Sequence, residues 1–144
     1  MLLPLAAGCS APWHKDAGAS KASVFDAKVG ECFESPTEVQ AQISDLQQVD
    51  CAKPHGQEAY ALPTYQPAAG SDVFPGDQTL ESFAQGACAQ AFGPYVGVDY
   101  LDSRLYDTYL LPSPRSWESG DRTVLCLATD SGNPMTGSVK GTRQ

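Results

Sequence analysis

The run Asp77-Gln78-Thr79-Leu80-Glu81-Ser82-Phe83-Ala84-Gln85-Gly86-Ala87-Cys88-Ala89-Gln90-Ala91-Phe92-Gly93-Pro94 carries the clearest periodicity in the chain. Leu80, Phe83, Ala84, Ala87, Cys88, Ala91 and Phe92 recur at i, i+3, i+4, i+7, i+8, i+11 and i+12. That spacing lines one face of an amphipathic helix. Asp77 is positioned as an N-cap after Pro75-Gly76, and Gly93-Pro94 as a stop. Cys88 falls on the apolar face, so a disulfide from it would pin the helix to the core.

Around this helix the pattern changes to strands. Arg122 to Ala128 alternates, with Val124, Cys126 and Ala128 on one face and Leu125 and Leu127 on the other. Asp130-Ser131-Gly132-Asn133 reads as a turn, after which Met135 to Lys140 is expected to return as a partner strand. Arg104 to Leu111 is a further apolar run, broken by Pro112 and Pro114. Trp117 follows, with a turn at Ser119-Gly120-Asp121. Glu58 to Leu62 is a short strand between Gly56 and Pro63, and Gln66 to Gly76 is a loop. Val24 to Phe33 reads as a strand entry with a turn at Gly30. Ala41 to Cys51 fits a helical turn or a strand equally. These elements predict one α+β domain over residues 24–144, in which a small antiparallel sheet packs on one main helix and two disulfides staple the whole.

The chain has 144 residues, the size of one domain. Its hydrophobic fraction of 42% suits a folded core. Nine basic against 17 acidic residues give a net charge of −8. Nucleic acid is therefore excluded as a partner, since phosphate binding needs a basic stripe. A membrane surface held by Lys and Arg is excluded for the same reason.

The amino terminus reads differently. Met1-Leu2-Leu3-Pro4-Leu5-Ala6-Ala7-Gly8-Cys9 has an apolar run, then small residues, then a cysteine. Residues 1–9 read as a truncated lipoprotein signal and lipobox, with Cys9 as the lipidated residue; the charged start and longer apolar run of a complete signal are missing. Residues 10–23 mix Ala, Ser, Gly, Lys and Pro and are expected to form a flexible tether. Trp13 and His14 fall within it, as solvated linker residues.

With Cys9 assigned to lipid, Cys32, Cys51, Cys88 and Cys126 remain. Export would place them where disulfides persist. None is spaced as Cys-x-x-Cys, which argues against a zinc ribbon or a thioredoxin-type motif. Four cysteines permit three pairings. The preferred one joins Cys32 to Cys51 and Cys88 to Cys126, closing loops of 20 and 39 residues. On the chain-entropy account these bridges contribute roughly 3 and 4 kcal/mol.

Val29-Gly30-Glu31-Cys32-Phe33 and Val49-Asp50-Cys51-Ala52-Lys53-Pro54-His55, with Glu58 following, resemble the septum formation domain family of actinobacterial lipoproteins and membrane-anchored proteins. Further matches are Phe74-Pro75-Gly76, Cys88, the block from Pro112 through Trp117 to Gly120-Asp121-Arg122, Val124-Leu125-Cys126, and Thr136-Gly137-Ser138-Val139-Lys140. The resemblance covers about residues 24–140. It implies an exported protein, often tethered to the membrane and linked to division septa. It carries no catalytic mechanism and no cofactor, and the shared residues look structural.

Few residues stand out as chemistry. His55 is a candidate ligand-binding or proton-carrying group, although a ring packed on the first disulfide and hydrogen-bonded to nearby backbone explains it better. Cys51 and His55, four positions apart, form a conceivable metal pair that leaves the other thiols unexplained. Trp117 is a candidate binding residue, although a tryptophan more often plugs the edge of a core. Asp99, Asp102 and Asp107 lack the spacing of a calcium loop. No Gly-x-Ser-x-Gly elbow occurs, and no pair of acids is singled out as a hydrolase pair.

The expected function is a non-enzymatic, membrane-tethered extracytoplasmic module, secreted if Cys9 is not lipidated. It would bind an unknown envelope or division protein. The alternative is a cell-wall hydrolase or accessory enzyme with a pocket near His55; a third reading is a small-ligand binder with a deep apolar cavity. One consequence follows from the sequence alone. Intact mass spectrometry of the domain should show a gain of four hydrogens on reduction, two per disulfide, and an unchanged mass would remove the two-bridge reading.

Overall fold

The computed structural model describes residues 19–36 and 45–144. Among them six strands form one antiparallel sheet: β1 (Ser20–Ser23), β2 (Cys32–Phe33), β3 (Asp45–Val49), β4 (Gln57–Ala61), β5 (Tyr106–Leu110) and β6 (Leu125–Thr129). Their order across the sheet is β1-β3-β2-β4-β6-β5. The main helix is α1 (Asp77–Val96), and a single helical turn, α2 (Pro114–Glu118), lies between β5 and β6.

The alternation in β6 divides the core. Cys126 and Ala128, with Val124 just before the strand, face α1 and meet Ala84, Cys88, Phe92 and Val96. Leu125 and Leu127 face the other way and pack with Phe33, Leu46, Ala59 and Ala27. β6 is covered by α1 on one face and by the Phe33–Leu46–Ala27 cluster on the other, so both of its faces are buried, which is why Val124 to Ala128 is continuously apolar. The expected pairing is present: Cys32–Cys51 and Cys88–Cys126 are disulfides, with Cα–Cα distances of 5.3 and 5.6 Å. The second joins the apolar face of α1 to β6.

Several expectations are corrected. Asp77 is the first helical residue, and Gly76 holds the N-cap position. The helix does not stop at Gly93-Pro94 but continues to Val96, with Gly97 as its C-cap at φ 90°. Pro94 removes one backbone donor, yet burial of Tyr95 and Val96 holds the last turn in place. The carboxyl-terminal segment then caps it: Gly141 N–H donates to Tyr95 O and Arg143 N–H to Val96 O.

Met135 to Lys140 is not a strand beside β6. It crosses to the loop before β4, where His55 and Met135 exchange both backbone hydrogen bonds, at 2.9 and 2.7 Å. Gly137 N–H donates to Cys51 O, and Met135 and Val139 enter the core. Val24–Asp26 is a 3-10 turn capped by the Ser23 hydroxyl, so only Cys32–Phe33 of the expected strand entry is extended and paired. The ambiguous Ala41–Cys51 segment resolves as strand over Asp45–Val49. Ser20–Ser23, the end of the expected tether, is a sheet strand paired with β3; the rest of the tether to residue 18, Trp13 and His14 included, and Cys9 lie outside the described residues.

The Cys88–Cys126 bridge closes the longer loop, so its loss should cost more. Replacing both cysteines by alanine should lower unfolding free energy by roughly 2–4 kcal/mol, measured by urea denaturation. The Cys32, Cys51 double variant should lose less.

Candidate functional site

β4 alternates, placing Glu58 and Tyr60 toward α1. Glu58 is fully buried (0% exposed). Its Oε1 accepts from Tyr95 Oη at 2.6 Å and from Ser138 Oγ at 2.6 Å, and its Oε2 accepts from Val139 N–H at 2.8 Å. One carboxylate therefore ties together β4, the end of α1 and the carboxyl-terminal segment. A buried acid is costly unless donors replace water, and three do so here. Burial first, and then the hydrogen bond to Glu58, push the Tyr95 hydroxyl above its ordinary range. Tyr95 thus keeps its proton and remains a donor.

His55 precedes β4 and is buried. Its Nδ1–H donates to the Lys53 carbonyl at 2.9 Å, while Nε2 has no partner. A ring nitrogen of His55, Cys32 Sγ and a Glu58 oxygen all lie within 4.8 Å of one another, so the ring lies beside the first disulfide. This is a poor donor set for a metal. The sulfur is oxidised to a disulfide, and the Glu58 oxygens are engaged. Cys51, the sequence partner considered for His55, holds the other end of that bridge. Outside the ring lies a hollow of about 300 Å³ bordered by Glu34, Ser35, Pro54 and Gly132. Gly56 sits in the same wall, where a Cβ would fall 1.8 Å from Ser35 Oγ. Only glycine lets the two chain segments approach this closely.

Trp117 is 2% exposed and belongs to the packing. Its indole N–H donates to Asp72 O at 2.8 Å, and the Arg122 guanidinium carbon lies 3.7 Å from the ring centroid. Tyr65 and Phe74 approach the same ring. Asp121 closes the neighbouring turn, accepting from Ser116 Oγ and Thr123 N–H. α2, which sequence reading passed over, positions this cluster. Its signal was present: Ser113 and Ser116 form a reciprocal capping box, and Pro114 opens the helix.

A second, more spacious concavity lies elsewhere. It is a groove of about 1200 Å³ that wraps the end of β5. Val24, Phe25, Leu62 and Leu110 supply apolar surface, and Asp77, Glu81 and Arg115 supply charge. Phe25 is 58% exposed. The groove joins residues from the 3-10 turn, the start of α1, the end of β5 and α2, which are distant in sequence. No local motif marks it.

The family model described as septum formation matches residues 29–144. No curated protein and no solved structure matches the chain significantly.

The Glu58 cluster makes two predictions. Glu58→Gln offers one accepting oxygen in place of two, so one of Tyr95, Ser138 and Val139 loses its acceptor. Unfolding free energy should fall by roughly 2–3 kcal/mol in urea titrations. Alkaline pH should destabilise the protein through Tyr95 and Tyr60, which burial holds above their ordinary range. Unfolded tyrosines ionise near pH 10. The stabilising contribution is therefore complete below about pH 10 and is lost as pH rises beyond it. Tyr95→Phe should flatten that decline, read from urea midpoints at increasing pH.

Proposed function

This chain belongs to the septum formation family, and from that premise we propose that it is a membrane-tethered, extracytoplasmic interaction module without enzymatic turnover. The family's description, septum formation, supports a role in cell division. The finer reading is that a lipid on Cys9 fixes its position while the stapled domain presents a surface to an envelope or division protein. Two acyl chains suffice for stable anchoring, because each buried CH₂ contributes about 0.8 kcal/mol. The two disulfides suit an oxidising compartment.

The observation that carries the reading is the open groove beside β5, with exposed Phe25 in its wall. Partner-binding surfaces are marked by such accessible apolar area. The hydrolase alternative draws less support. Of the two carboxyl groups near His55, Glu34 stands exposed at the rim of the hollow, and Glu58 already accepts from three donors of its own fold. Proton transfer to a substrate requires a group within hydrogen-bond reach of it, which a fully buried side chain is not.

The anchor is tested by Cys9→Ser in the full chain. The variant should move from the membrane fraction to the soluble extracytoplasmic fraction; retention on the membrane would remove the lipid from the proposal. Crosslinking in growing cells should recover an envelope or division protein with the wild-type chain. Recovery of none, together with uniform distribution around the cell, would overturn the interaction reading.

A further inference from the structure

β5 is an edge strand. It pairs with β6 on one side, and no strand among the described residues lies on the other. Natural sheets blunt such edges with lysine, proline or bulges, because unpaired backbone groups recruit another strand. The opposite edge, β1, carries Lys21. β5 reads Tyr106-Asp107-Thr108-Tyr109-Leu110, with one acidic charge, Asp107, and no lysine or proline, and its register with β6 is unbroken across all five residues. Tyr106 is 52% exposed. The chain then runs directly through Leu111 and Pro112 along the groove wall.

Resting on the interaction-module reading, we infer that this edge and groove bind an extended, lysine- or arginine-bearing peptide segment of a partner protein, which adds to β5 as a strand. Four observations specify the occupant. The free edge offers backbone donors and acceptors to an extended chain, the basis of strand addition. The groove, at about 1200 Å³, exceeds the roughly 300–1000 Å³ of small-molecule sites. Its apolar residues Phe25, Leu62 and Leu110 suit alternate side chains of a strand, which project to one side at every second residue. The charge is acidic: Asp77, Glu81 and Asp121 line it against Arg115 alone. Asp121 is engaged by Ser116 and Thr123, whereas Asp77 and Glu81 are exposed on the first turns of α1. A second copy of a chain with net charge −8 is electrostatically the wrong partner for this rim. Exposed charges add little affinity, so the strand ladder and apolar contacts supply binding while the acidic rim sets its sign preference and salt dependence.

The test uses the full, oxidised chain and a fluorescent eight-residue peptide alternating lysine with valine. Controls are the glutamate–valine counterpart and a lysine–valine peptide N-methylated at every residue, which removes the donors from both edges of the strand. The basic peptide should bind by anisotropy, weaken as salt rises, and slow amide hydrogen exchange in residues 106–110. N-methylation should abolish binding. The charge-reversed variant D77K/E81K should bind the basic peptide about tenfold more weakly, and the neutral variant Asp77→Asn, Glu81→Gln should lie between; circular dichroism verifies that both fold. Equal binding of the N-methylated or acidic peptide, protection of a different segment, or no binding of the basic peptide would overturn the inference. So would sedimentation showing a dimer with residues 106–110 protected, which would make a second copy the occupant. A crosslinked cellular partner captured equally by wild type and D77K/E81K would reject the groove while leaving the interaction reading intact.

Discussion

The bridge between Cys88 and Cys126 joins the apolar face of α1 to the strand on which both halves of the core rest. β6 is buried on both faces, and the helix covers one of them. A covalent link at that contact restricts where the helix can sit along the sheet. It also shortens the unfolded chain's freedom over the segment that contains β5 and α2. The neighbouring structure follows from that placement. With α1 fixed over β4 and β6, its final turn brings Tyr95 to Glu58, and Glu58 in turn receives the carboxyl-terminal segment through Ser138 and Val139.

Residues that look chemically capable are thereby consumed by architecture. Glu58 satisfies three donors, Trp117 fills a corner beneath Arg122, and Asp121 shapes a turn. Among the described residues, His55 keeps a buried ring nitrogen without a partner beside the first disulfide. Open surface remains where the sheet ends at β5. The helix start, the 3-10 turn and α2 surround the same edge, so one groove combines an open backbone, apolar area and negative charge.

The extent to which this was readable differs by element. α1 was legible because thirteen residues from Leu80 to Phe92 keep one phase, and periodicity survives any tertiary context. Its end was not, because Pro94 is a local signal and the burial of Tyr95 and Val96 is a nonlocal one that outweighed it. Met135–Lys140 shows the same conflict. The turn at Asp130–Asn133 suggested a returning strand, but Gly137 takes a positive φ of 83° and Val139 N–H is drawn to Glu58. Glu58 itself was read only as the start of a short strand and as part of a motif. The strand phase set its side chain on the same face as Tyr60, but its partners lie 37, 80 and 81 positions away.

By itself the sequence determined the helix and its inward face, the alternation of β6, the α+β class and a workable cysteine pairing, because each depends on side-chain spacing within a few turns or on a small number of permitted combinations. The tertiary structure decided the order of the strands, the role of Glu58 and the existence of the groove. Those depend on which distant segments meet, and the free energy of such meetings is shared among many weak contacts that no local pattern records.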